Sequence, residues 1–211
     1  MNRSSNHGRQ ATPGQVGGSA EASPASTRAK NLPTPEEALS PLYRFYRMRQ
    51  TARPVVNLLP GDELPEPYRR LLLHNTDMTT KLEGFHGDEI VLTVHHEIHL
   101  EGCYYREVVL RQKRSNRPVE YGAIEITLNA LPKDIQAGVI EGKRPLGGIL
   151  VDHKMAFESR PEVFFAVEPC AVIATALESD RQANLYGRVN RLTLTSSGEV
   201  FAHVVEILPP Y

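Results

Sequence analysis

The chain has 211 residues, 40% of them hydrophobic, with 24 basic and 25 acidic side chains and a formal net charge of −1. That balance gives no global field toward nucleic acid or an anionic membrane, and the apolar runs are too short to span a bilayer. The N-terminus lacks the apolar stretch of a secretory signal, so a cytoplasmic location is expected, with Cys103 and Cys170 as free thiols.

Residues 1–31 are rich in Ser, Gly, Ala and Pro and carry almost no large apolar side chain. They bury too little surface to offset their ordering entropy, so a disordered tail is expected there, followed by a single domain over 32–211. Structure should begin at Thr34-Pro35-Glu36-Glu37, where Thr34 can cap, Pro35 suits the first helical position and Glu37 completes a capping box. The run Leu42-Tyr43-Arg44-Phe45-Tyr46 follows in helical context, close to Arg47, Arg49 and Arg53. A basic aromatic stretch can stack on nucleobases, but the neutral overall charge argues against it, and no nucleic-acid partner is expected. Pro54 stops this helix, Pro60-Gly61 makes a turn, and Pro67 to His74 reads as another short helix. Asn75-Thr76-Asp77 then supplies capping side chains before Met78, whose backbone N–H lies at an anion-favouring helix start.

Asp88 to Leu100 alternates, with Ile90, Leu92, Val94, His96, Ile98 and Leu100 on one face. On that apolar face His96 reads as a hydrogen-bonded core histidine. His95, Glu97 and His99 fall on the other face; the spacing spreads metal ligands too widely, so a solvated polar face and no metal are expected.

Tyr104 to Leu128 is a hairpin around the polar turn Arg114-Ser115-Asn116-Arg117-Pro118. Period two puts Arg106, Val108 and Leu110 on one face and Tyr105, Glu107, Val109 and Arg111 on the other. A guanidinium among aliphatic residues cannot lose its proton, so Arg106 requires an anion. Pro132 marks a further helix start. Glu141 to Leu150 is a glycine-bearing turn into a short apolar helix, with Pro145 at its first position and the N–H groups of Leu146 and Gly147 free. Gly147-Gly148 lets a ligand approach the backbone, although the P-loop spacing is missing.

Glu162–Val167 and Ala171–Thr175 are apolar segments of either kind. A second hairpin closes the chain: Leu185 to Leu194, the turn Ser196-Ser197-Gly198, and Val200 to Leu208. Both faces of the last strand are apolar, which predicts a central strand covered on both sides. Glu206 inside it is either paired or has a raised pKa. Arg106 and Glu206 are thus two interior charges of opposite sign. They are either an ion pair with each other or the walls of one ligand site.

Four stretches in order resemble the chorismate–pyruvate lyase (4-hydroxybenzoate synthase) family: Met78-Thr79-Thr80-Lys81-Leu82-Glu83; Tyr105-Arg106-Glu107-Val108-Val109-Leu110; Lys143-Arg144-Pro145-Leu146-Gly147; and Tyr186-Gly187-Arg188 through Leu194 to Glu206-Ile207-Leu208-Pro209. The resemblance covers about Asp77 to Tyr211. It implies an α+β fold, a single antiparallel β-sheet with flanking helices around an internal ligand pocket. It also implies Arg106 and Glu206 as catalytic residues, and Met78, Arg106, Leu146, Gly147 and Glu206 as the substrate-binding set. The implied reaction removes pyruvate from chorismate to leave 4-hydroxybenzoate, with no cofactor. Arg106 and the two helix starts would hold a carboxylate, and Glu206 would bond the oxygen that becomes the phenol. The same kind of sheet resembles ligand-sensing domains of bacterial transcription regulators, but the stretch before Asp77 reads as too short and proline-broken for a winged helix. A relative acting on a modified chorismate, or a pseudoenzyme that only binds aromatic acids, shares the implied pocket.

Overall fold

A computed structural model describes residues 33–211, so the expected tail over 1–31 lies outside the described residues. Seven strands form one antiparallel sheet in the order β1-β5-β6-β7-β4-β3-β2. These are β1 (Val55–Leu59), β2 (Ile90–Leu100), β3 (Cys103–Gln112), β4 (Pro118–Thr127), β5 (Phe157–Glu168), β6 (Leu185–Leu194) and β7 (Val200–Leu208). The last strand stands fourth of seven, as its two apolar faces predict. Both predicted hairpins form, β3 with β4 and β6 with β7. Of the two ambiguous apolar segments, the first lies in β5, and the second becomes a helix, Ala171–Leu177, after Pro169-Cys170 interrupts the strand.

Helices cover both faces. On one face α1 (Pro35–Ala38), α2 (Ser40–Arg49) and α7 (Ala171–Leu177) pack on Tyr105, Val109, Tyr121, Ala123, Val205 and Ile207. The capping box forms as read, with the Thr34 hydroxyl accepting from the Glu37 amide and the Glu37 carboxylate accepting from the Thr34 amide. In α2 the aromatic side chains Tyr43, Phe45 and Tyr46 are buried, and the Arg44 guanidinium lies 4.1 Å from the Tyr105 ring centre. These rings belong to the core, which leaves no stacking surface for nucleobases.

On the opposite face lie α3 (Tyr68–Leu72), α4 (Met78–His86), α5 (Lys133–Glu141) and α6 (Leu146–Asp152). They divide between two clusters. One joins α5 and α6 to Ile124, Ile126, Leu192 and Ala202. The other joins α3 and α4 to Ile90, Leu110, Val119 and Leu208. Asp77 caps α4, accepting a hydrogen bond from the Thr80 amide at 2.9 Å. Pro132 and Pro145 stand one position earlier than expected, as the caps of α5 and α6 rather than their first helical residues.

Two local readings are corrected. Val55–Leu59, passed over between Pro54 and Pro60, is an edge strand paired to β5. The alternation of β2 breaks at a bulge between Val94 and His96. Beyond it Glu97 lies opposite Arg106, while His96 lies opposite Glu107. An extra residue inverts every later side chain, so His96 leaves the face of Ile90 and Leu92. It is half exposed and bonds Glu107 rather than sitting in the core. No helix among the described residues is long and apolar enough to cross a membrane.

Candidate functional site

Between the two clusters lies a pocket enclosed by the sheet and the helix starts. Its floor is the sheet. Arg106, Val108 and Leu110 come from β3, Glu120, Gly122 and Ile124 from β4, Asn190 and Leu192 from β6, and Glu206 from β7. Its roof is the first residues of α4 and α6, namely Met78, Thr79, Leu146 and Gly147. Leading N–H groups of a helix have no intrahelical acceptor, so two such ends frame the cavity. The roof is closely packed at Gly147, where a Cβ would stand 3.1 Å from the Cβ of Asp77. All five sequence-predicted site residues, Met78, Arg106, Leu146, Gly147 and Glu206, line this one cavity. A second hollow shares Asp77, Thr79, Leu92, Pro145 and Gly147 with it and borders Lys143 and Arg144, marking the seam between α4 and α6.

Arg106 is 2% exposed. Among the described residues its guanidinium makes one hydrogen bond, donating to the Arg144 carbonyl at 3.3 Å, and its Nε has no partner. Burial pulls its pKa down, and only Tyr104 and Glu97 nearby work against that. Glu97, directly across on β2, instead accepts a hydrogen bond from the Tyr104 hydroxyl at 2.8 Å. Guanidinium does not deprotonate at ordinary pH, so this is a buried cation that forms no salt bridge among the described residues, although Glu97 lies nearby.

Glu206 is also buried, but its partner is not Arg106. The Arg188 side chain, fully buried on β6 and opposite Glu206 in register, donates to its carboxylate. Arg188 also donates to the carbonyls of Leu72 at 2.9 Å and His74 at 3.0 Å. Burial first, and the Arg188 charge second, push the His74 pKa down to about 4, so the imidazole adds no charge near neutrality. The ion-pair alternative for Arg106 and Glu206 is therefore excluded by geometry, and both face the same hollow.

Sequence reasoning missed Arg188 and Glu120. Arg188 was visible as a charge in phase with Asn190 and Leu192 on β6. Glu120 is in phase with Gly122 and Ile124, and the β3–β4 register sets those opposite Leu110, Val108 and Arg106. Burial, then the neighbouring Glu206 charge, hold the Glu120 pKa well above the ordinary 4.5. Asn190 donates to the Ser159 hydroxyl at 2.9 Å and leaves its own Oδ1 unpartnered. Among the described residues no group of three or more His, Cys, Asp or Glu side chains is arranged to hold a metal.

No protein-family model matches the sequence, and no curated protein matches it. Solved structures do resemble it. PhnF from Mycobacterium smegmatis aligns with 79% of this chain and 93% of its own, at 11% identity and a TM-score of 0.51. The separate effector domain of PhnF aligns with 64% and 88%, at 10% identity and 0.49. The possible transcriptional regulator YydK from Bacillus subtilis aligns with 82% and 93%, at 12% identity and 0.46. The shared feature is the fold. The single antiparallel sheet with flanking helices is therefore the architecture expected from the lyase resemblance, and one that PhnF also has.

Proposed function

We propose that the pocket binds a small cyclic or aromatic carboxylic acid. The observation that carries this reading is Arg106, a buried guanidinium that lines the cavity and forms no salt bridge among the described residues. A ligand carboxylate meets its planar fork in a bidentate pair, and the leading amides of α4 at Met78 and of α6 at Leu146 and Gly147 add donors to that end. Aliphatic walls from Val108, Leu110, Ile124 and Leu192 suit a ring. The test is calorimetric titration of the full chain with chorismate and with 4-hydroxybenzoate. Binding of either, lost on Arg106→Met, is the expected result; no heat from either acid overturns the reading.

A second reading is favoured by Glu206, a carboxylate on the same cavity wall. In it the protein removes pyruvate from chorismate. Arg106 holds the ring carboxylate; the bond from the ring carbon to the ether oxygen breaks, its electron pair leaving with the enolpyruvate, which takes up the proton the ring gives up on becoming aromatic and is released as pyruvate. Glu206, anchored by Arg188, accepts a hydrogen bond from the oxygen that ends as the phenol hydroxyl. Enclosure strengthens each contact and slows product escape. Incubation with chorismate separates the two readings: release of pyruvate and 4-hydroxybenzoate in equal amounts identifies a lyase, and binding with chorismate recovered intact identifies a sensor.

A further inference from the structure

Glu120 is the pocket residue that neither reading uses. It is 4% exposed, and its Oε2 is buried without a hydrogen-bond partner among the described residues. Its neighbours explain why it fits. Gly122, two residues on, packs so tightly against β7 that a Cβ would stand 2.2 Å from the Val205 carbonyl oxygen. That close approach sets Glu206 directly across from Gly122, so Glu120 and Glu206 stand on adjacent strands of one wall. Arg188 is bonded to Glu206 and to two carbonyls; its Nη2 has no partner among the described residues, and it gives Glu120 no hydrogen bond.

Position within the sheet gives the direction. Arg106 pairs with Ile124 and Leu110 pairs with Glu120. Glu120 is therefore displaced four residues along the strands from Arg106, about 13 Å at the usual rise per residue. Arg106 and Glu120 mark opposite ends of the cavity, with Glu206 between them. Two carboxyl groups on one wall beside a single arginine do not both hold a negative charge at low cost, and the one that arginine does not bond keeps its proton. A buried carboxylic acid of that kind is a hydrogen-bond donor that is left unsatisfied until a ligand arrives.

We propose that Glu120 is a specificity-determining residue, reading the ligand end remote from Arg106 by donating its carboxyl hydrogen to a ligand oxygen. The inference rests on the carboxylic-acid pocket proposed above and adds the second polar group its ligand must carry. A hydroxyl satisfies this end best, since it accepts from Glu120 while donating to Glu206. A second carboxylate directly across the ring is disfavoured, because it faces the Glu206 charge.

The test compares ligands that differ at that end, titrated calorimetrically into the full chain: benzoate, 4-hydroxybenzoate and 4-formylbenzoate, whose carbonyl accepts but cannot donate. For the unaltered protein, both para-oxygen acids should bind about tenfold tighter than benzoate, the size of one well-made hydrogen bond to a buried group. Glu120→Leu should reduce the advantage of 4-formylbenzoate to within about twofold and lower that of 4-hydroxybenzoate only in part, since its hydroxyl still donates to Glu206, while benzoate binding is kept; Glu120→Gln, which retains a donor, should preserve most of both. A purely structural Glu120 would change the three affinities together, which would overturn the proposal. The unaltered protein needs no variant to fail the test: 4-formylbenzoate no tighter than benzoate removes the donor role. If none of the acids binds, the pocket reading itself falls, an outcome distinct from binding without discrimination.

Discussion

On the α2 face of β3, Glu107 is 1% exposed and surrounded by donors. Arg49 reaches it twice, at 2.5 and 2.7 Å, the Tyr121 hydroxyl donates to it at 2.5 Å, and His96 Nδ1 stands 2.8 Å away. Burial pushes this carboxyl up, but hydrogen bonds from Arg49, Tyr121 and His96 outweigh it and leave its pKa below the ordinary range. One residue earlier, on the other face of the same strand, Arg106 is as deeply buried and has a single long bond to a carbonyl. Local sequence and depth are shared; compensation is not. A buried charge enclosed by partners holds elements together, whereas a buried charge facing space holds a place for something else.

Removing a partner from a closed network tests the first half of that contrast, and the largest effect belongs to Arg188. Arg188→Ala strips Glu206 of its cation and leaves the Leu72 and His74 carbonyls without their donor. About 4 kcal/mol of stability should be lost, the scale for orphaning a buried charge. Urea unfolding at pH 7 measures it, and a change under about 1 kcal/mol would mean that the pair is not closed. Next comes Arg49→Ala, which should cost about 3 kcal/mol, less because Tyr121 and His96 still face Glu107.

Much of this contrast was legible in the residues. Period two placed Arg106 with Val108 and Leu110, the apolar faces of Val200–Leu208 placed β7 at the centre, and Asp77 announced the start of α4. What stayed hidden was register. The bulge between Val94 and His96, and another shift between Leu110 and Arg111, depend on packing between strands and leave no mark in alternation. Without register, Glu97 could not be set opposite Arg106, nor Glu206 opposite Arg188, so the partner of each charge was open. Val55–Leu59 escaped because it is a short edge strand between two prolines, with its first residue exposed.

Arg106→Met tests the second half, with the opposite sign. No protein anion is orphaned by the change, and a desolvated cation is replaced by an apolar chain of similar length. Stability should rise by about 1–2 kcal/mol in the absence of ligand, while binding of carboxylic acids is lost. A marked loss of stability would show that Arg106 is held by the protein after all and would merge the two faces into one case.

The smallest effect is in pH dependence, where the two buried glutamates should pull in opposite directions. Glu107 titrates below its unfolded value of 4.5 in the folded chain, so its contribution is present above that pH and is lost as pH falls through its folded pKa. Glu120 titrates well above 4.5 when folded. Between 4.5 and that higher value the unfolded chain has released a proton that the folded chain retains, so stability declines as pH rises. The slope for one proton is at most about 1.4 kcal/mol per pH unit. Glu120→Gln cannot ionise and lacks this slope, so its advantage over the unaltered protein should grow as pH rises above 4.5 and level off once the folded Glu120 has ionised. For Glu107→Gln the deficit should be flat over that range and shrink only below about pH 4.5. Urea unfolding at pH 4, 5, 6 and 7 follows both variants on one scale. Parallel curves for Glu120→Gln and the unaltered protein would mean that Glu120 is ionised in the fold. A carboxylate at that end of the pocket has no hydrogen to donate, so the preference for ligands that carry an accepting oxygen there would have no source.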